Sequence, residues 1–182
     1  HLSPTQPCQW YLARVETPKW KLAGATIIGL PGFAAGHNEH ASWGVTAGLA
    51  DNTDLYIERT NEAEAYQGRT VTHTETIFIK GKNPIVEEVI VTERGPIIGP
   101  SIGFDEMAIS IRATWLQSTP FHTLTDLPTV RTFSDFKKAW RRWPFSTFNM
   151  AYADVQGNIG WKLVGDVPVR TSESGIIPSP AQ

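Results

Sequence analysis

The chain has 182 residues, 41% of them hydrophobic and 19% charged, with a formal net charge of −2. That length and mix fit one domain, or one domain carrying a small insertion, and argue against disorder. The basic residues do not cluster beyond Arg141 and Arg142, and no apolar run approaches the roughly 20 residues of a membrane span, so nucleic acid and membrane are poor candidate partners. The single cysteine, Cys8, excludes an intrachain disulfide and a cysteine-based zinc site. The start without methionine and the tail "SGIIPSPAQ" read as the ends of a piece of a longer chain.

Strand patterns dominate in chain order. Residues 9–16 and 20–28 are β-rich runs joined by "TPK" and predict a hairpin. After "GLPGF", two short strands are expected at 34–37 and 42–46 around "NEHA", and residues 55–59 alternate apolar and charged side chains. "RTVTHTETIFIK" and "PIVEEVIVTE" flank "GKN" as a second hairpin, and "MAISIRAT" is a further strand; these middle strands could close a small barrel or sandwich. "TFSDFKKAWRRW" predicts one helix, with Thr132 as N-cap, Asp135 three residues on, and Phe133, Phe136, Ala139, Trp140 and Trp143 on one apolar face. Pro144 ends it. "NMAYADVQGNIGWKLVG" closes the pattern with two strands about a turn. The fold class expected is α+β, predominantly antiparallel β.

The candidate chemistry lies in residues 36–58. His37 and His40 are three apart, but the flanks argue against a helix, and in an extended segment the two rings point to opposite faces. His37 is expected to order a turn and His40 to be exposed. Asp51 and Asp54 flank "NT" just before a strand: they are either hard-oxygen ligands for calcium or an Asx-turn that starts the strand. Small residues in "TAGLA", 46–50, let backbone N–H groups approach a ligand closely, as an oxyanion hole requires, and are also common in plain tight turns. Glu87 and Glu88 are adjacent, so in a strand they diverge and cannot act as a glycosidase pair.

The order of motifs says more. "PGFAAGHNEHASWGVTAGLADNTDLYIE" (31–58), "HLSP…WY" upstream, and "NMAYADVQGNIGW" followed by Gly165 and "PVR" (168–170) resemble, in order, the β chain of the penicillin acylase family. That resemblance implies an N-terminal-nucleophile hydrolase with an αββα sandwich, here as a β-chain fragment with a small β-barrel-like insertion. Its implied organisation is sheet strands with the oxyanion and metal loop at 1–59, the insertion at 60–114, and the helix and returning core strands at 115–182. The implied reaction is attack of an N-terminal serine on an amide, with its own α-amine as base, releasing a carboxylic acid and an amine. The implied substrates are penicillins, cephalosporins or acyl-homoserine lactones.

Carried over by position, the resemblance gives Ala47 the backbone donor of the oxyanion hole and gives Ala35, Val45, Leu49 and Phe148 the acyl pocket. It gives Asp51, Thr53 (by its carbonyl) and Asp54 a calcium ion in the intact enzyme, with no organic cofactor. Asn149 does not match the oxyanion asparagine. The partners implied are the α chain and the remainder of the β chain of one precursor, in a periplasmic or extracellular setting; the nucleophile is expected upstream of His1, so the piece is expected to be inactive alone. The competing reading is a non-catalytic β-rich domain binding a sugar or peptide through Trp10, Trp20 and Trp161.

Overall fold

The computed structural model describes residues 5–30, 32–60, 68–104, 107–120, 122–170 and 175–181. Their strands are β1 (Trp10–Glu16), β2 (Lys21–Ile27), β3 (Ala35–Asn38), β4 (Ala41–Ala47), β5 (Thr53–Ile57), β6 (Val71–Ile77), β7 (Ile85–Val91), β8 (Ile109–Ala113), β9 (Phe148–Asp154), β10 (Ile159–Val164) and β11 (Ser179–Pro180). Two α-helices, α1 (Thr123–Asp126) and α2 (Phe133–Ala139), precede β9. The fold is mostly antiparallel sheet with few helices, as the strand patterns require.

Contacts divide the chain into one unit of residues 1–50 with 117–166 and another of residues 51–116 with 167–182. The breaks expected at 59/60 and 114/115 thus lie at 50/51 and 116/117, and the chain returns to the second unit at its end. β5 moves across the expected boundary because its partner is β8, with Thr53 opposite Ala113 and Ile57 opposite Ile109.

The first unit is a six-stranded antiparallel sheet in the order β1-β2-β3-β4-β9-β10. Strand alternation sends Leu22, Trp43, Met150, Tyr152 and Val164 into a shared core with Leu127, Phe136, Trp140 and Trp143. The aromatic stripe of α2 therefore packs the sheet, with the Phe136 ring 5.1 Å from Tyr152 and Trp140 5.2 Å from Trp143. Phe136 is fully buried, and truncating such a side chain costs about 3–5 kcal/mol. A full capping box starts the helix: the Asp135 amide donates to Thr132 Oγ1 at 3.1 Å, and the Thr132 amide donates to Asp135 Oδ2 at 3.1 Å.

Asn38, not His37, orders the β3–β4 turn. Its Oδ1 accepts from the amides of His40 and Ala41 at 2.9 and 2.8 Å, while its Nδ2 donates to the carbonyls of Leu127 and Val130 at 3.1 and 2.8 Å. One buried amide thereby satisfies both a hairpin end and the connection leading to α2, where unpaired backbone groups would be costly. His37 is exposed and His40 is half-buried.

The second unit holds a three-stranded sheet, β11-β5-β8, and the hairpin β6-β7. Bridges Val91–Pro96 and Ile97–Ser110 link the two, so the middle strands join into one ladder among the described residues. Residues 61–67 of the expected insertion lie outside the described residues. Near the C-terminal end β11 pairs in parallel with β5, and the Ala181 amide donates to the Ile57 carbonyl at 2.9 Å.

Glu58, buried just past β5, ties this unit together. It accepts from Thr92 Oγ1 at 3.0 Å, Arg94 Nε at 2.9 Å and Ser110 Oγ, and forms an ion pair with Arg94 Nη2. Burial opposes its charge, but the hydrogen bonds from Arg94, Ser110 and Thr92 outweigh that cost and hold the carboxyl below its ordinary value. A depressed carboxyl stabilises the fold above its unfolded pKa, about 4.3, and that contribution disappears as pH falls through the lower folded value. Glu58→Gln should destabilise the protein by about 3 kcal/mol at pH 7. Thermal unfolding of wild type and variant from pH 7 to pH 3 should show the gap narrowing only below about pH 4.3; a constant gap would disprove the charged role.

Candidate functional site

Ala47 ends β4 opposite Phe148. In an antiparallel ladder, hydrogen-bonded and non-hydrogen-bonded pairs alternate. The next pair is bonded, since the Gly48 amide donates to the Thr147 carbonyl at 2.8 Å. Ala47 and Phe148 are therefore a non-bonded pair, and the Ala47 N–H points away from β9. On that side β3 pairs with β4 at Gly36–Trp43 and His37–Ser42, well short of Ala47. The geometry leaves an exposed strand-end N–H aimed away from its own ladder.

Three contacts fix this peptide. Thr147, which is buried, accepts the Gly48 amide through its carbonyl and the Ala50 amide through Oγ1 at 3.0 Å. Asn149 Nδ2 donates to the Ala47 carbonyl at 3.1 Å, and Trp161 Nε1 donates to Asn149 Oδ1 at 3.2 Å. Neither Asn149 nor Thr147 stands out in the sequence, because their contacts depend on the register that β9 forms with the distant strand β4. Gly48 is required by close approach: a Cβ there would lie 2.8 Å from the Thr147 carbonyl carbon and 2.9 Å from the Phe148 nitrogen.

The four expected pocket residues are only partly brought together. Val45 and Phe148 share the core-facing side of the sheet and pack on its cluster. Ala35, paired with Ala25, falls on the opposite side by alternation from Gly36 and Asn38. Leu49 is 90% exposed and carries a φ of 53°, the only positive φ at a non-glycine among the described residues. A bulky apolar side chain held in solvent in the left-handed region is a local strain that packing does not reward.

Asp51 and Asp54 meet a basic residue. Arg170 Nε donates to Asp54 Oδ1 at 2.8 Å, Nη2 lies 3.1 Å from Asp51 Oδ2, and both Nη atoms are 3.4 Å from the Asp51 carbonyl oxygen. The bond to Asp54 and the charge of both aspartates raise the guanidinium pKa, so it stays protonated. The Thr53 carbonyl turns away from β8, because the neighbouring pair, Asn52 with Thr114, is the hydrogen-bonded one. Calcium takes six to eight oxygens. Here both carboxylates are already occupied by one cationic side chain, and among the described residues no three His, Cys, Asp or Glu side chains gather. As arranged, the donors fit a guanidinium and not a calcium ion.

Comparison with known proteins places these features in context. A family model described as penicillin amidase matches residues 1–182. An acyl-homoserine lactone acylase, QuiP, of Pseudomonas aeruginosa is 31% identical over 200 residues, covering 99% of this chain and 24% of that protein. Penicillin acylase 2 proenzyme of a Pseudomonas species, strain SE83, is 28% identical over 175 residues, covering 89% of this chain and 22% of its own length. The chain thus spans about a quarter of the relatives it matches. A solved structure, the thermostable penicillin G acylase from Alcaligenes faecalis, superposes with a TM-score of 0.82 at 24% identity, over 96% of this chain and 33% of that one.

Two substitutions separate the constraints on the loop after β4. Gly48→Ala should destabilise by about 1–3 kcal/mol, since besides the Leu163 side chain it meets backbone atoms of Thr147 and Phe148 that cannot yield without moving a strand. Leu49→Gly should leave stability unchanged or raise it by up to about 1 kcal/mol, relief of the left-handed strain offsetting the entropy cost of glycine. Chemical denaturation of both variants checks the pair of signs.

Proposed function

Because the chain belongs to the penicillin amidase family, we propose that it forms one wall of a site that hydrolyses the linear amide bond of acylated amines. The observation that carries this reading is the Ala47 N–H, fixed at a strand end and directed away from its ladder. In amide hydrolysis the carbonyl oxygen gains negative charge as the nucleophile adds, and a pre-positioned N–H stabilises that charge without having to reorganise. Thr147 and Asn149 supply the pre-positioning, holding the peptide that follows the donor by its N–H and by its carbonyl.

The nucleophile, by the family's chemistry, is a serine whose own α-amine takes its proton, and it lies on a segment other than those described here. The same holds for the second oxyanion donor. Val45 and Phe148 give the acyl group an apolar surface beside Ala47, and Leu49 extends it from the loop. Relatives named as acylases of acyl-homoserine lactones and of penicillins both release a carboxylic acid from an amide, and an apolar acyl group is the common element we assign to this chain's substrate.

The α chain and the rest of the β chain are the proposed partners. The sheet face opposite the core supports this: Ile159, Trp161 and Leu163 alternate along β10 as exposed apolar residues, with Trp161 63% accessible. A periplasmic or extracellular location fits the family; no helix among the described residues is long and apolar enough to cross a membrane. Sugar or peptide binding through Trp10, Trp20 and Trp161 is disfavoured, because Trp20 packs against the core and the Trp161 ring nitrogen is used by Asn149.

Ala47→Pro in the full-length precursor removes the donor while deleting no ladder bond to β9. Its kcat should fall by about 10²–10³ towards a chromogenic phenylacetyl or fatty-acyl amide, with the melting temperature within a few degrees of wild type. The 182-residue chain alone should be inert towards the same amides. Full activity of Ala47→Pro, or turnover by the isolated chain that survives repurification, would refute the roles assigned.

A further inference from the structure

We infer that Arg170 is a built-in cation that takes the place of a divalent metal between Asp51 and Asp54, so that the loop between β4 and β5 is held by an ion-pair clamp within the chain and not by calcium. The inference stands on the geometry of the second unit and is independent of the reaction proposed above.

Two observations carry it. The first is the donor set. A metal joining these aspartates would draw on the oxygens that now face the guanidinium: Asp54 Oδ1 at 2.8 Å, Asp51 Oδ2 at 3.1 Å and the Asp51 carbonyl at 3.4 Å. The fork geometry of arginine suits such an array, since a planar guanidinium can address two carboxylates and a carbonyl at once. A divalent ion added beside it would sit against a positive charge that cannot be discharged at any ordinary pH.

The second observation is closure. Gly175 packs over the clamp in the left-handed region, with φ of +123°. A Cβ on it would fall 2.4 Å from Asp51 Oδ2 and 3.1 Å from Arg170 Cζ. No side chain fits between Gly175 and the ion pair, so the glycine backbone lies directly over the Asp51 carboxylate and the guanidinium that already occupies it. Asp54 is itself 8% exposed, which places one of the two carboxylates away from water and makes a fixed counter-charge necessary.

The clamp has a structural purpose. Asp54 lies in β5, opposite Arg112, and Asp51 lies just before it, while Arg170 belongs to the segment that returns from the first unit's last strand. One guanidinium therefore joins the two pieces of chain from which the second unit is built, beside the β5–β11 pairing that does the same a few residues on.

The test uses the full-length protein with calcium chloride, a chelator and terbium as probes. Trp115 Nε1 lies 3.3 Å from Thr53 Oγ1, close enough to sensitise a lanthanide held in this loop. Wild type should melt at the same temperature with excess calcium and with chelator, and its terbium emission should not exceed that of Asp51→Asn. Arg170→Met, which leaves two facing carboxylates without a counter-charge, should lower Tm by about 5 °C, and calcium should then raise it again. A wild-type Tm that rises with calcium and loses that response in Asp54→Asn would overturn the inference. So would an Arg170→Met protein with wild-type stability and no calcium response. Should Arg170→Met not fold, the wild-type terbium measurement decides alone: emission above the Asp51→Asn control contradicts the clamp, and its absence supports it.

Discussion

Ala41 lies opposite Asp154, and the pairing of β4 with β9 then runs without a slip to Ala47 opposite Phe148. Everything proposed for the first unit depends on that register. Its parity decides which amides of β4 serve the ladder and which turn away, and Ala47 is in the second class only because Gly48 and Thr147 close the neighbouring bonded pair. A slip of one residue would bury the Ala47 donor in the ladder and move Trp43 and Met150 from the core to the opposite face. The apolar core and the exposed donor are thus fixed by one constraint, and neither can be lost without the other.

The second unit solves a different problem, that of holding a short strand whose flanks are acidic. β5 spans Thr53–Ile57, with Asp51 and Asp54 at one end and Glu58 just beyond the other. Each end is neutralised by an arginine from later in the chain, Arg170 at the first and Arg94 at the second. Arginine serves both because each carboxylate is drawn partly out of water, where a planar donor fork recovers more of the lost hydration than a lysine would. Around Glu58, Thr92 and Ser110 add hydroxyl donors, so the carboxylate is satisfied by more than its ion pair. This is the condition under which a buried charge ceases to be a liability.

Local patterns were legible in the sequence. The hairpins at β1–β2, β6–β7 and β9–β10 and the helix α2 fall within a few residues of their expected places, because strand alternation, turn residues and a capping box act between near neighbours. What was not legible required distant pairing. β5 was assigned to the first segment because it follows β4 directly, yet its hydrogen bonds go to β8 and β11. Ser179 and Pro180 carry no strand pattern of their own, and it is β5 that recruits them. His37 is the more chemically suggestive residue in the sequence, but it is exposed, and it is the buried Asn38 whose amide accepts from the hairpin and donates to the chain before α2. Ala47 is singled out by family resemblance and by the small residues of "TAGLA", while the contacts of Thr147, Asn149 and Arg170 emerge only once strands and side chains are placed.

The two ends of the loop between β4 and β5 show how the chain divides rigidity. Gly48 is held by Thr147 so closely that no side chain fits, and a few residues on Asp51 is gripped by Arg170 beneath Gly175, where again no Cβ fits. Between these fixed points Leu49 adopts a backbone angle unfavourable to any residue with a side chain and points that side chain into solvent. If stability were the only demand, glycine would serve better there and the apolar surface would be lost at no cost to the core. A leucine retained in strain between two glycine-tight positions presents its apolar side chain outward at the expense of local backbone energy.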